Sequence, residues 1–147
     1  MSRNEHETAL ARVKYLIEWE HYPEALSELE KILSVNPENP DILSLIAEVY
    51  LYLKQYDKAL KWTDMALNQD PMHLQAWRIR VHVFCETDKI KKFQEAVRTA
   101  MHINPLEPSY HFLEENVLIF KGGKRRFKRQ KSISFMPCVS VLNILLV

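Results

Sequence analysis

Glycine is nearly missing from this sequence: among 147 residues only Gly122 and Gly123 occur. No Gly-rich loop can cradle a phosphate, and a β-rich fold, whose tight turns draw on glycine, is disfavoured. Cysteine is as scarce. Cys85 and Cys138 lie far apart, form no C-x-x-C pair and cannot build a disulfide framework, which fits a reducing compartment. Long apolar runs are also lacking. The best candidate, residues 133–147, spans only 15 residues and is broken by Pro137, Ser140 and Asn143, short of the ~18 a membrane-spanning helix needs. The opening residues, Met1 to Glu7, are polar and hold no leader-like apolar core, so a cytoplasmic protein is expected.

Catalytic constellations are missing too. The six histidines are scattered, and Ser132, Ser134 and Cys138 have no neighbouring base in sequence. His82, Cys85 and Glu86 share one helical turn, yet no second cluster completes a metal site. No enzyme, metal or cofactor is expected.

What is present begins with an uneven charge. Residues 1–120 carry 13 Lys/Arg against 19 Asp/Glu, whereas residues 121–131 carry seven cations and no acid. The body is acidic and is followed by a basic collar. Within the body, Asn36-Pro37, Asp70-Pro71 and Asn104-Pro105 recur at a spacing of 34 residues. Tyr22 and Tyr56, Ala25 and Ala59, and Leu26 and Leu60 keep the same period.

Each period holds two amphipathic stretches at helical spacing. Ala9, Val13, Leu16 and Ile17 precede Ala25, Leu29, Ile32 and Leu33; Leu43, Ala47, Tyr50 and Leu51 precede Ala59, Leu60, Ala66 and Leu67. A third pair follows in Trp77, Val81 and Phe84, then Phe93, Val97 and Ala100. Asn4 followed by Glu7 reads as a capping box, Pro23 and Pro40 suit first turns, and each Asn/Asp-Pro pair closes a helix.

These residues resemble the tetratricopeptide repeat family. The likeness covers residues 6–107 and rests on Leu43 and Trp77 at the fourth repeat position, Tyr50 and Phe84 at the eleventh, Ala25 and Ala59 at the twentieth, and a proline at the thirty-second. It implies an all-α, right-handed solenoid of antiparallel helix pairs with three 34-residue repeats and a degenerate fourth. The units are expected at about 6–39, 40–73, 74–107 and a partial 108–120, together an array over 1–120, with 121–147 as collar and apolar tail. Val13, Val81 and Phe93 stand where the family has small side chains, so repeats one and three are expected to pack with altered spacing.

The resemblance further implies a groove lined by the first helix of each pair: Lys14, Ile17 and Glu18, then Asp41, Ser44, Glu48 and Tyr52, then Gln75, Arg78, His82 and Glu86. Such a mixture suits a protein or peptide segment with apolar anchors and some basic charge. One family subtype holds the terminal carboxylate of chaperone tails with lysines and asparagines. The comparable places here are Leu10, Lys14, Leu45, Gln75 and Ile79, so that ligand class is not expected.

Lys121, Lys124, Arg125, Arg126, Lys128, Arg129 and Lys131 carry charge suited to phosphates. Phe127 is their only interleaved aromatic, so nucleic acid is not expected. The alternative to the groove reading is a membrane-surface assembly factor, held to anionic lipid by the collar and the apolar tail. Leu145, Leu146 and Val147 supply no polar cap, and self-association through that end is expected.

Overall fold

The computed structural model describes residues 3–108. Six helices follow in order: α1 (Arg3–Glu18), α2 (Tyr22–Val35), α3 (Pro40–Tyr52), α4 (Tyr56–Gln69), α5 (Leu74–Glu86) and α6 (Ile90–Ile103). Among the described residues they are the only regular secondary structure. None of them is long and apolar enough to cross a membrane. The expected partial fourth unit beyond residue 108, the basic collar and the apolar tail lie outside the described residues.

Cap chemistry follows the sequence except at the first helix. Because α1 already begins at Arg3, Asn4 is not its cap, and the capping box expected from Asn4 and Glu7 does not set that boundary. Asn39 does act as a cap: its side chain accepts from the Asp41 amide at 2.9 Å, and Pro40 opens α3. A proline in the first turn also starts α2. At the other ends Asn36, Asp70 and Asn104 donate their amides to Ile32, Ala66 and Ala100, and the prolines that follow stop the helices.

The turn inside each pair repeats in detail. Glu20, Lys54 and Asp88 have φ of 60°, 57° and 53°, and they stand 34 residues apart. Their amides donate to Ile17, Leu51 and Cys85, while the next amides, of His21, Gln55 and Lys89, reach back to Leu16, Tyr50 and Phe84. This is the Schellman closure, in which a left-handed residue lets two orphan carbonyls at the helix end be satisfied. Glycine usually fills that residue, because a Cβ in this region costs free energy. Here glutamate, lysine and aspartate do so. Lys54→Gly is therefore expected to stabilise the fold by about 0.5–1 kcal/mol, read as a higher urea midpoint at unchanged slope. A lower midpoint would contradict the left-handed assignment.

The described residues divide into two compact units, one ending at Ile79 and the other beginning at Arg80. In the first, α1 packs on α2, α2 on α3 and α3 on α4. Its main core joins Val13, Ala25, Leu29, Ile32, Ile42, Ile46 and Val49, with Leu16, Ile17 and Leu26 packed at its edge. Leu43, Ala66 and Ala76 form a second cluster beside Trp62 and Leu67. Each fully buried leucine or isoleucine there contributes roughly 1.5–3 kcal/mol, while alanines at Ala25, Ala59 and Ala66 let helices approach closely. In the second unit Val81, Val83 and Phe84 of α5 and Phe93, Ala96, Val97 and Ala100 of α6 are buried. Val13, Val81 and Phe93, large for their repeat positions, are all accommodated in the interior.

Candidate functional site

Three first helices bring polar side chains together around one carboxylate. Glu48 and Tyr52 are one turn apart on α3, so the phenol donates to Glu48 Oε1 at 3.1 Å. Gln75 of α5 also hydrogen-bonds Glu48, and Arg78, one turn further on, and Lys14 of α1 place positive charge near it. Burial nonetheless outweighs these partners and pushes the Glu48 carboxyl above its ordinary range. The Tyr52 phenol is raised as well, first by burial and then by the Glu48 charge and hydrogen bond. Tyr22, the first residue of α2, stacks on Tyr52 with ring centres 5.9 Å apart. Arg78 has Nε and Nη2 buried without a hydrogen-bond partner, although such donors usually find one.

Lys14 and Glu18 are exposed on α1, whereas Ile17 is partly buried against the main core. Asp41 is exposed at the start of α3, and Ser44 is buried at 1% exposure. The Ser44 hydroxyl donates to the Asp41 carbonyl at 2.9 Å and lies 3.1 Å from His73 Nε2. His73 also approaches Asp41 Oδ1 at 3.8 Å and Asp70 Oδ2 at 3.7 Å. Serine, histidine and aspartate in this order look like a hydrolytic relay, but the serine is sealed from solvent, so no substrate reaches it. The cluster ties α3 to the turn before α5. Among the described residues no group of three His, Cys, Asp or Glu is arranged to hold a metal ion.

In the second unit His82 is buried and lies 3.9 Å from Glu86 Oε1. Burial lowers its pKa to about 4, so the imidazole is neutral at pH 7 and offers a ligand little surface. Of the residues expected in a groove, Lys14, Glu48, Tyr52, Gln75 and Arg78 thus form one network, Asp41 and Ser44 a second, and His82 and Glu86 a pair. Tyr22 and His73 escaped the sequence reasoning. His73 sits 29 residues from Ser44, a spacing matching no motif; Tyr22 was legible only as a repeat-phase residue.

A tetratricopeptide repeat model matches residues 16–83, the span that carries two of the left-handed turns and most of the polar network. Over that span, just under half of the chain, this protein is similar to the tetratricopeptide repeat family. Its helical-repeat fold recurs in solved tetratricopeptide domains. The first such domain of Spaghetti (RPAP3), bound to the HSP90 peptide SRMEEVD, superposes with a TM-score of 0.73 at 14% identity, covering 84% of this chain and 98% of that one. The Sgt2 domain from Aspergillus fumigatus gives 0.71 at 20% identity, over 80% and 79% of the two chains. The second domain of human RPAP3, in complex with the HSP70 peptide SGPTIEEVD, gives 0.65 at 15% identity, over 75% and 92%. At such identities the likeness is one of fold. Comparison with curated proteins by sequence finds no match.

Proposed function

We propose that this helical-repeat protein is a non-enzymatic scaffold that binds a peptide or protein segment along the first helices of its repeats. The observation that carries the reading is the convergence of Lys14, Glu48, Tyr52, Gln75 and Arg78 on one partly buried site. A stability-only role explains it poorly, since burying a carboxylate and leaving guanidinium donors unpaired both cost free energy. A bound segment recovers part of that cost. A backbone carbonyl of the segment accepts from Arg78 after a small turn of its side chain, and Tyr52 on Tyr22 supplies an apolar wall. Solved relatives in the same fold bind peptides, which supports the class of partner.

The chemistry differs from that of a terminal-carboxylate site. Leu10, Leu45 and Ile79 donate no hydrogen bonds where such a site needs them, and Glu48 repels an added anion. The peptide SRMEEVD is expected to give no saturable calorimetric signal with the full chain. Saturable binding would refute this exclusion.

For the site itself, ligands selected from a peptide display library are expected to lose roughly 30-fold or more in affinity on Arg78→Glu, because one charged hydrogen-bonding partner is removed and reversed. Helicity should be unchanged. Equal affinity for both forms would sink the groove reading. The membrane-surface alternative rests on residues 121–147 alone; their removal is expected to abolish pelleting with anionic vesicles if it holds, and to leave peptide affinity unaltered if function lies in the repeats.

A further inference from the structure

On α1, Tyr15 and Trp19 are 58% and 62% exposed, and their rings lie against each other with centres 5.9 Å apart. Successive helical residues turn by about 100°, which puts this pair on nearly the opposite side of α1 from the partly buried Ile17. It is a second surface, independent of the network around Glu48.

The repeat itself states what kind of element covers such a surface. Thirty-four residues on, the same places are held by Val49 and Leu53. Val49 is fully buried in the core with Ala25, Leu29 and Ile32 of α2, and Leu53 packs against that core. The equivalent residue of the third repeat, Val83, is also fully buried. The face that carries Tyr15 and Trp19 is therefore the one that, in the next repeat, the apolar stripe of an amphipathic second helix closes. On α1 it is open.

Two further features narrow the occupant. Tyr15 and Trp19 are larger than Val49 and Leu53, so a helix at the same distance needs small side chains opposite them. The end of α1 beside Trp19 is negative: Glu18 and Glu20 flank it, the last turn holds no basic residue, and the helix dipole ends there. We infer that the Tyr15–Trp19 face of α1 docks an amphipathic α-helix of a partner protein, with small apolar residues at i, i+3/i+4 and i+7 and lysine or arginine over the α1 C-terminus. Exposed tyrosine and tryptophan are the side chains that most often dominate such contacts.

The test uses the full chain and a cross-linked helical peptide of residues 22–35, the α2 sequence, carrying Leu29→Ala and Glu30→Lys. Amide and indole shifts of Tyr15 and Trp19 are expected to move saturably while Glu48 and Arg78 stay still. Tyr15→Ser with Trp19→Ser, both at exposed positions, should weaken binding at least tenfold without altering helicity or groove-ligand affinity. A peptide with the lysine restored to glutamate should bind several-fold more weakly. Absence of shifts up to the solubility limit, shifts confined to the groove, or equal affinity in the double variant would overturn the inference. So would a concentration-dependent dimer abolished by the double variant, since the occupant would then be a second copy of this chain.

Discussion

Leu29→Ala is expected to lower the unfolding free energy by on the order of 3 kcal/mol. Leu29 has no exposed surface and sits where α1, α2 and α3 meet, with Val13 on one side and Ile42, Ile46 and Val49 on the other. Truncation removes the transfer free energy of the lost carbons and leaves a cavity that three helices cannot close at once. A helix pair in a repeat array draws much of its stability from its neighbour, so the loss should be felt by α1 and α3 together. Urea denaturation followed by circular dichroism and by tryptophan fluorescence should shift to a lower midpoint with both probes. Val35→Ala is the control, because Val35 is 59% exposed and a surface truncation usually stays within about 0.5 kcal/mol. A loss below 1 kcal/mol for Leu29→Ala would contradict the packing described for this core.

Acid should destabilise the fold well before the ordinary carboxylates titrate, through His82. Its folded pKa is lowered by burial to about 4, against an ordinary value of 6.5. Between those limits the unfolded chain binds the proton that the folded chain refuses. The stability associated with neutral His82 is thus fully present above pH 6.5 and is lost as the pH falls toward about 4. The loss amounts to on the order of 3 kcal/mol across the window. Glu86, 3.9 Å away, acts in the opposite sense by favouring imidazolium, but burial prevails. Glu48 has the reverse sign: its carboxyl is raised by burial, so the folded state gains stability as pH falls and loses it as pH rises through the raised value. Unfolding free energy measured from pH 7.5 to 4.5 should therefore decline for the natural chain. In His82→Leu the decline should be flattened or turned into a slight rise. A steep decline persisting in His82→Leu would show that another group governs the acid limb.

The repeat and its helix pairs were legible because both depend on local pattern. A proline after Asn36, Asp70 and Asn104 ends a helix whatever surrounds it, and apolar residues at 3.6-residue spacing mark the face that must be buried. The first helix start was misread because a capping box at Asn4 is a local preference that the chain from Arg3 onward overrides. The left-handed turns at Glu20, Lys54 and Asp88 were invisible for a related reason: none is glycine, and only the backbone hydrogen bonds disclose them.

Sequence alone determined that this chain is a helical repeat with small alanines at its close contacts, since periodicity and helix termination act over a few residues. Which polar side chains meet was settled only in three dimensions. Lys14, Glu48 and Arg78 lie on different helices, and their effect on one carboxyl depends on distance and desolvation, neither of which a linear spacing contains. Likewise Ser44 and His82 stand in sequence as groove residues, yet the helices packed around them take both out of water. Tyr15 and Trp19, spaced like core residues, are left outside, because burial is decided by the neighbour that arrives and not by the residue that waits for it.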